Sequence, residues 1–89
     1  MMEENKGYQL IASYVKQKYF ISTIYRKSSA MIEDCWYFET IVWDLDEKTK
    51  KRGSIVGMDD SGISEEMAMD NHLLIVKKLN NLIIEGGSF

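Results

Sequence analysis

The run Cys35 to Asp46, CWYFETIVWDLD, constrains the fold more than any other part of the chain. Successive side chains of a strand alternate between the two faces of a sheet. One face of this run therefore carries Trp36, Phe38, Thr40 and Val42, and the other Tyr37, Glu39, Ile41 and Trp43. Both faces are apolar, the pattern of an interior strand with neighbours on either side. Lys18 to Arg26, KYFISTIYR, is dense in β-branched and aromatic residues and supplies one neighbour.

The rest of the chain is fitted around this pair. Tyr8 to Val15 is open to two readings. Tyr8, Ile11, Ala12 and Val15 make a helical stripe, while Tyr8, Leu10, Ala12 and Tyr14 make a strand face. A strand is favoured because the following β segment needs an antiparallel partner. Lys27 to Asp34 connects the two strong strands, with a helical turn conceivable at Ala30-Met31-Ile32. Glu47 to Gly53 is a charged turn, Ser54 to Met58 a short fourth strand, and Asp59-Asp60-Ser61-Gly62 a further turn. The chain has no proline, so its turns are expected to rest on Gly, Asn, Asp and Ser.

Ser64 is placed to cap a helix whose first turn holds Glu65 and Glu66, where the helix dipole favours acids. Ile63 is expected to staple against Ala68. The helix should run to about Ile84 and stop at Gly86-Gly87. Ala68, His72, Ile75, Val76, Leu79, Leu82 and Ile83 share one arc, with Asp70, Lys77 and Asn81 opposite. The expected fold class is α+β: an antiparallel meander of three or four strands with one C-terminal helix packed on one face. Residues 1–89 make a single domain with 1–7 and 85–89 as frayed tails.

Composition narrows the function classes. The net charge is −3, which disfavours general binding to nucleic acid or to an anionic membrane, since both require a cationic surface. No run approaches the about 18 apolar residues of a membrane span. The single cysteine, Cys35, allows no internal disulfide, and the polar start resembles no targeting peptide, so a cytoplasmic location is expected.

Each residue able to carry chemistry has a plainer reading beside it. His72, the one histidine, lies inside the apolar arc. A general base or metal ligand is one reading; a buried, hydrogen-bonded histidine is favoured, because no second ligand or paired nucleophile accompanies it. Glu39 sits mid-strand and must be paired or at a rim. If the helix covers its face, Glu39 and His72 form a buried polar pair. Cys35 follows Glu33 and Asp34, whose charges oppose a reactive thiolate. The carboxylates of Asp59, Asp60, Glu65 and Glu66 lack the ligand alternation of a calcium loop. Lys48, Lys50, Lys51 and Arg52, with Arg26 and Lys27, form the one basic group; a solvated hairpin tip explains it better than a phosphate contact. No catalytic residue, metal or cofactor is assigned.

Tyr19-Phe20-Ile21-Ser22-Thr23-Ile24-Tyr25-Arg26 with Ser28-Ser29-Ala30, Tyr37-Phe38-Glu39-Thr40-Ile41-Val42-Trp43, and the helix carrying Ala68 and His72 before Ile75-Val76 resemble a small family of uncharacterised proteins encoded by bacteria and their phages. The likeness covers roughly residues 17–79. It implies a phage- or prophage-type accessory protein. The preferred functional expectation is a non-enzymatic interaction module, acting as a homodimer or by binding another protein. The candidate binding residues are Trp36, Tyr37, Phe38 and Trp43, together with Arg26 and Lys27. A nucleic-acid-associated protein using the sheet and basic loops is the alternative. A small enzyme using His72 and Glu39 comes last.

Overall fold

The computed structural model describes residues 7–27 and 35–84. Four strands, β1 (Tyr8–Val15), β2 (Tyr19–Lys27), β3 (Trp36–Leu45) and β4 (Arg52–Asp60), form one antiparallel sheet in the order β1-β2-β3-β4, followed by helix α1 (Glu65–Ile84). This is the expected α+β meander with one helix packed on it. The segment Tyr8–Val15 is a strand, and β4 runs two residues further at each end than Ser54–Met58. The interior of the 27–34 connection, the tails apart from Gly7, and the Gly86-Gly87 stop lie outside the described residues.

β2 and β3 pair without interruption from Tyr19↔Asp44 to Lys27↔Trp36. The register irregularities fall in the ladders of the edge strands: between Gln9 and Ile11 in β1, and opposite Val42/Trp43 and Trp43/Leu45 in β4. Such bulges twist an edge and make it a poorer template for another strand. At the second β4 irregularity the Asp44 carboxylate accepts from Ser54 N at 2.7 Å. A Cβ on Gly53 would run into Asp44 Oδ1, so the close approach requires glycine there.

The β1–β2 turn departs from the sequence expectation, while the β3–β4 turn rests on an aspartate as expected. Lys18 N donates to Val15 O at 2.9 Å across a turn whose central residues, Lys16 and Gln17, both have positive φ (50° and 58°). Two-residue turns of this hand suit the twist of a hairpin but favour Asn-Gly. Lys16 and Gln17 are thus held left-handed by the β1–β2 pairing, not by their own preference. In the β3–β4 turn Asp46 Oδ1 accepts from Lys48 N (2.9 Å) and Thr49 N (2.8 Å), and these bonds hold the Asp46 carboxyl below its ordinary pKa.

α1 begins where Ser64 caps it: Met67 N donates to Ser64 Oγ at 3.1 Å. The staple is not formed, because Ile63 is 77% exposed. Leu79 packs with Val15, Tyr19, Ile21 and Val42, and Val56, Ile75, Val76, Leu82 and Ile83 surround that cluster. The helix therefore covers the face of Thr40 and Val42. The opposite face of β2 and β3 carries Phe20, Ser22, Ile24, Arg26, Tyr37, Glu39, Ile41 and Trp43.

Candidate functional site

Beside the aliphatic cluster, the space under α1 is polar. Each strand, or the turn just after it, brings one small hydroxyl to the helix side: Ser13 from β1, Thr23 from β2, Thr40 from β3 and Ser61 just after β4. His72 descends from α1 among them and is fully buried. Its Nε2 lies 2.8 Å from Ser13 Oγ and its Nδ1 2.8 Å from Thr23 Oγ1. Thr23 Oγ1 contacts Thr40 Oγ1 at 2.7 Å, and Thr40 Oγ1 contacts Ser61 Oγ at 2.7 Å. Asn71 Nδ2 closes the chain, donating to Ser61 Oγ at 2.7 Å and to Asp59 Oδ2 at 2.9 Å. The series Asp59–Asn71–Ser61–Thr40–Thr23–His72–Ser13 crosses the whole sheet.

Every buried polar side-chain atom among the described residues has a partner. The imidazole is desolvated with only hydroxyls at its nitrogens, and burial lowers its pKa from the usual 6.5. The outer end of the chain is open. Ser61 and Asn71 line a cavity of about 510 Å³ with Met67, Asp70 and Leu74, and Thr40 and Asp59 line one of about 320 Å³ with Ile75 and Lys78. Among the described residues no cluster of His, Cys, Asp and Glu could hold a metal ion.

His72 is buried in the apolar arc, but Glu39 is not its partner. Glu39 lies on the far face and pairs with Arg26 at 3.1 Å, where the arginine side chain keeps 41% exposure. An ion pair needs that contact with water, and a helix laid over it would strand both charges. The helix instead takes the face with aliphatic and hydroxyl groups.

The contact residues divide between the faces. Phe38 is 2% exposed, inside an aromatic group with Tyr8 and Tyr25, so it offers no surface. Trp36 stacks on Tyr25 at 5.2 Å. Tyr37 and Trp43 lie on the face away from α1, half-buried. Arg52 lies over the rings of Phe20 and Trp43, at 5.4 and 5.1 Å, a cation–π arrangement that shields part of that face. Lys27 is exposed at the end of β2, and Cys35 is exposed beside β3.

The hydroxyl chain was not singled out from the sequence. Its signal is nevertheless present: Thr23 and Thr40 stand in the inward alternations Tyr19-Ile21-Thr23 and Phe38-Thr40-Val42, where an apolar residue is the norm. Comparisons with protein-family models, with curated proteins and with solved structures find no match for this chain.

Proposed function

We propose that this chain is a non-enzymatic protein-interaction module that works as a homodimer, the second copy seated on the sheet face opposite α1. The observation that carries the reading is the set of large apolar side chains left in water on that face: Tyr14 at 67%, Ile55 at 51% and Met58 at 57% exposure, around the Phe20–Trp43 ring pair. Four strands about 4.8 Å apart and about 30 Å long present roughly 570 Å². That is close to the about 600 Å² per partner at the low end of specific interfaces. A two-fold axis is the commonest way for one patch to satisfy itself. The sequence resemblance supports a phage- or prophage-type accessory role, and the single unpaired cysteine supports the cytoplasm as its compartment.

An interface of this size gives a concentration-dependent dimer. Light scattering after size exclusion should show the 10.3 kDa chain doubling in mass as concentration rises towards about 100 µM. Ile55→Lys with Met58→Lys should hold it at the monomer mass with its fold intact. A wild-type chain that stays monomeric throughout refutes the reading. So does a dimer indifferent to both substitutions.

A further inference from the structure

We propose that the buried hydroxyl chain is a polarised relay that fixes His72 as the neutral Nε2–H tautomer and acts as a proton-sensitive clasp between α1 and the sheet. The direction follows from its outer end. The Asp59 carboxylate only accepts, so the Asn71 group facing it at 2.9 Å must be the NH₂. The second hydrogen of that NH₂ points to Ser61 Oγ at 2.7 Å. Ser61 already accepts there, so its own proton is available to Thr40, and each hydroxyl has one proton to give. Thr40 then donates to Thr23, and Thr23 to His72 Nδ1. Nδ1 is the acceptor, the ring proton sits on Nε2, and Nε2–H donates to Ser13 Oγ.

Protonating His72 makes both ring nitrogens donors. Thr23 must then accept from Nδ1, while Asn71, held by Asp59, still donates into the other end of the chain. One of the three hydroxyls, Thr23, Thr40 or Ser61, therefore receives hydrogens from both sides with its own displaced. The charge gains no counter-ion in exchange. The groups at the ring are Ser13 of β1 and Thr23 of β2, with Thr40 of β3 one bond further. Glu39 of β3 lies on the other face with Arg26, Glu65 of α1 accepts from the Tyr8 hydroxyl of β1, Asp70 of α1 is exposed, and Asp59 of β4 reaches the ring only through the relay.

The pH window is set by linkage. The folded imidazole's pKa lies below the unfolded value of 6.5, so the clasp's contribution is complete above that pH and is lost progressively as pH falls from there to the folded value. Within the window the folding equilibrium constant falls by up to about tenfold per pH unit. With one histidine in the chain, little else titrates between about pH 6.5 and 5.

Nitrogen-15 NMR of the His72 ring reads the tautomer directly. Wild type should show Nε2–H at neutral pH. The charge-conserving exchange Asp59→Asn with Asn71→Asp turns the outer end from a donor into an acceptor, reverses the relay, and should convert the ring to Nδ1–H. Asn71→Ala, which removes the director, should give a mixture and serves if the exchanged protein does not fold. Denaturation of wild type at pH 6.5 and at pH 5 should show the loss, and His72→Gln should flatten it. If that variant does not fold, the wild-type ring must still titrate below 6.5. An Nδ1–H ring in wild type, one unchanged tautomer in the directing variants, an equal pH response in His72→Gln, or a ring titrating at or above 6.5 overturns the proposal.

Discussion

Thr23→Val is the sharpest test of the buried chain, because it changes chemistry and almost no shape. Thr23, Thr40 and His72 are each fully buried, and Thr23 Oγ1 lies 2.7 Å from Thr40 Oγ1 and 2.8 Å from His72 Nδ1. Valine fills the same space, so no cavity enters the account. Two groups lose their partner: the Thr40 hydroxyl hydrogen and the His72 Nδ1 lone pair. Each buried unsatisfied group costs about 1–3 kcal/mol, and the added methyl returns part of the sum, leaving a loss of about 3 kcal/mol. In a domain of this size that lowers Tm by roughly 12–24 °C. Ser22→Ala is the control one residue away. Ser22 is also buried, but its hydroxyl bonds Gln9 on the other face at 3.0 Å, and the change should cost about 1 kcal/mol. Urea denaturation followed by tryptophan fluorescence and by circular dichroism measures both. Thr23→Val with Thr40→Val should cost less than the two single changes added together, by about 1–2 kcal/mol, since neither hydroxyl is then orphaned by the other. A Thr23→Val protein within about 0.5 kcal/mol of wild type, or a strictly additive pair, would refute the reasoning.

Other perturbations address other parts of the fold. Leu79→Ala, at a position 1% exposed in the aliphatic cluster, should cost about 2–5 kcal/mol by chemical denaturation. Lys16→Asn with Gln17→Gly should raise the urea midpoint, gaining about 1–2 kcal/mol by relieving two left-handed residues. Gly53→Ala should displace the Asp44 carboxylate from Ser54 N, a loss of about 1 kcal/mol visible as faster Ser54 amide exchange. Ser64→Ala should cost about 1 kcal/mol and fray the first turn of α1, read by amide exchange at Met67.

The sequence makes the meander legible because its strongest signals are local. Two-sided apolar alternation put β3 in the interior, and the Ser64 cap with an apolar arc from Ala68 to Ile83 placed the helix and its buried face. The choice of sheet face was not legible. Both faces of β3 offer large apolar groups, and alternation is symmetric between them. What separates them is a non-local pairing: Arg26 reaches Glu39 across thirteen positions in the chain and keeps that face wet. The open face also proved better shielded than its composition implies, since Arg52 folds back over Phe20 and Trp43. The Lys16-Gln17 turn was illegible for a related reason, because strand pairing imposes a backbone that the two residues do not prefer.

The division of the space under α1 explains why a small domain would keep so many polar groups inside it. The aliphatic end, Val15, Tyr19, Ile21, Val42 and Leu79, supplies burial, which is non-directional. Burial alone would tolerate α1 sliding or turning on the sheet, because Ile75, Val76, Leu82 and Ile83 are near-equivalent as packing surface. The hydroxyl chain is directional. A helix shifted by one residue would withdraw His72 from Ser13 and Thr23, and Asn71 from Ser61, leaving both nitrogens of the buried imidazole and the Ser13 hydroxyl without their partners at once. Hydrogen bonds add little net stability when made and cost much when broken, so the chain's main contribution is to penalise alternatives to this docking. That same asymmetry makes the arrangement sensitive to one proton. A network whose two ends both donate inward leaves one hydroxyl hydrogen without an acceptor, and the imidazole, alone among its members, has an ordinary pKa near neutral, which burial lowers.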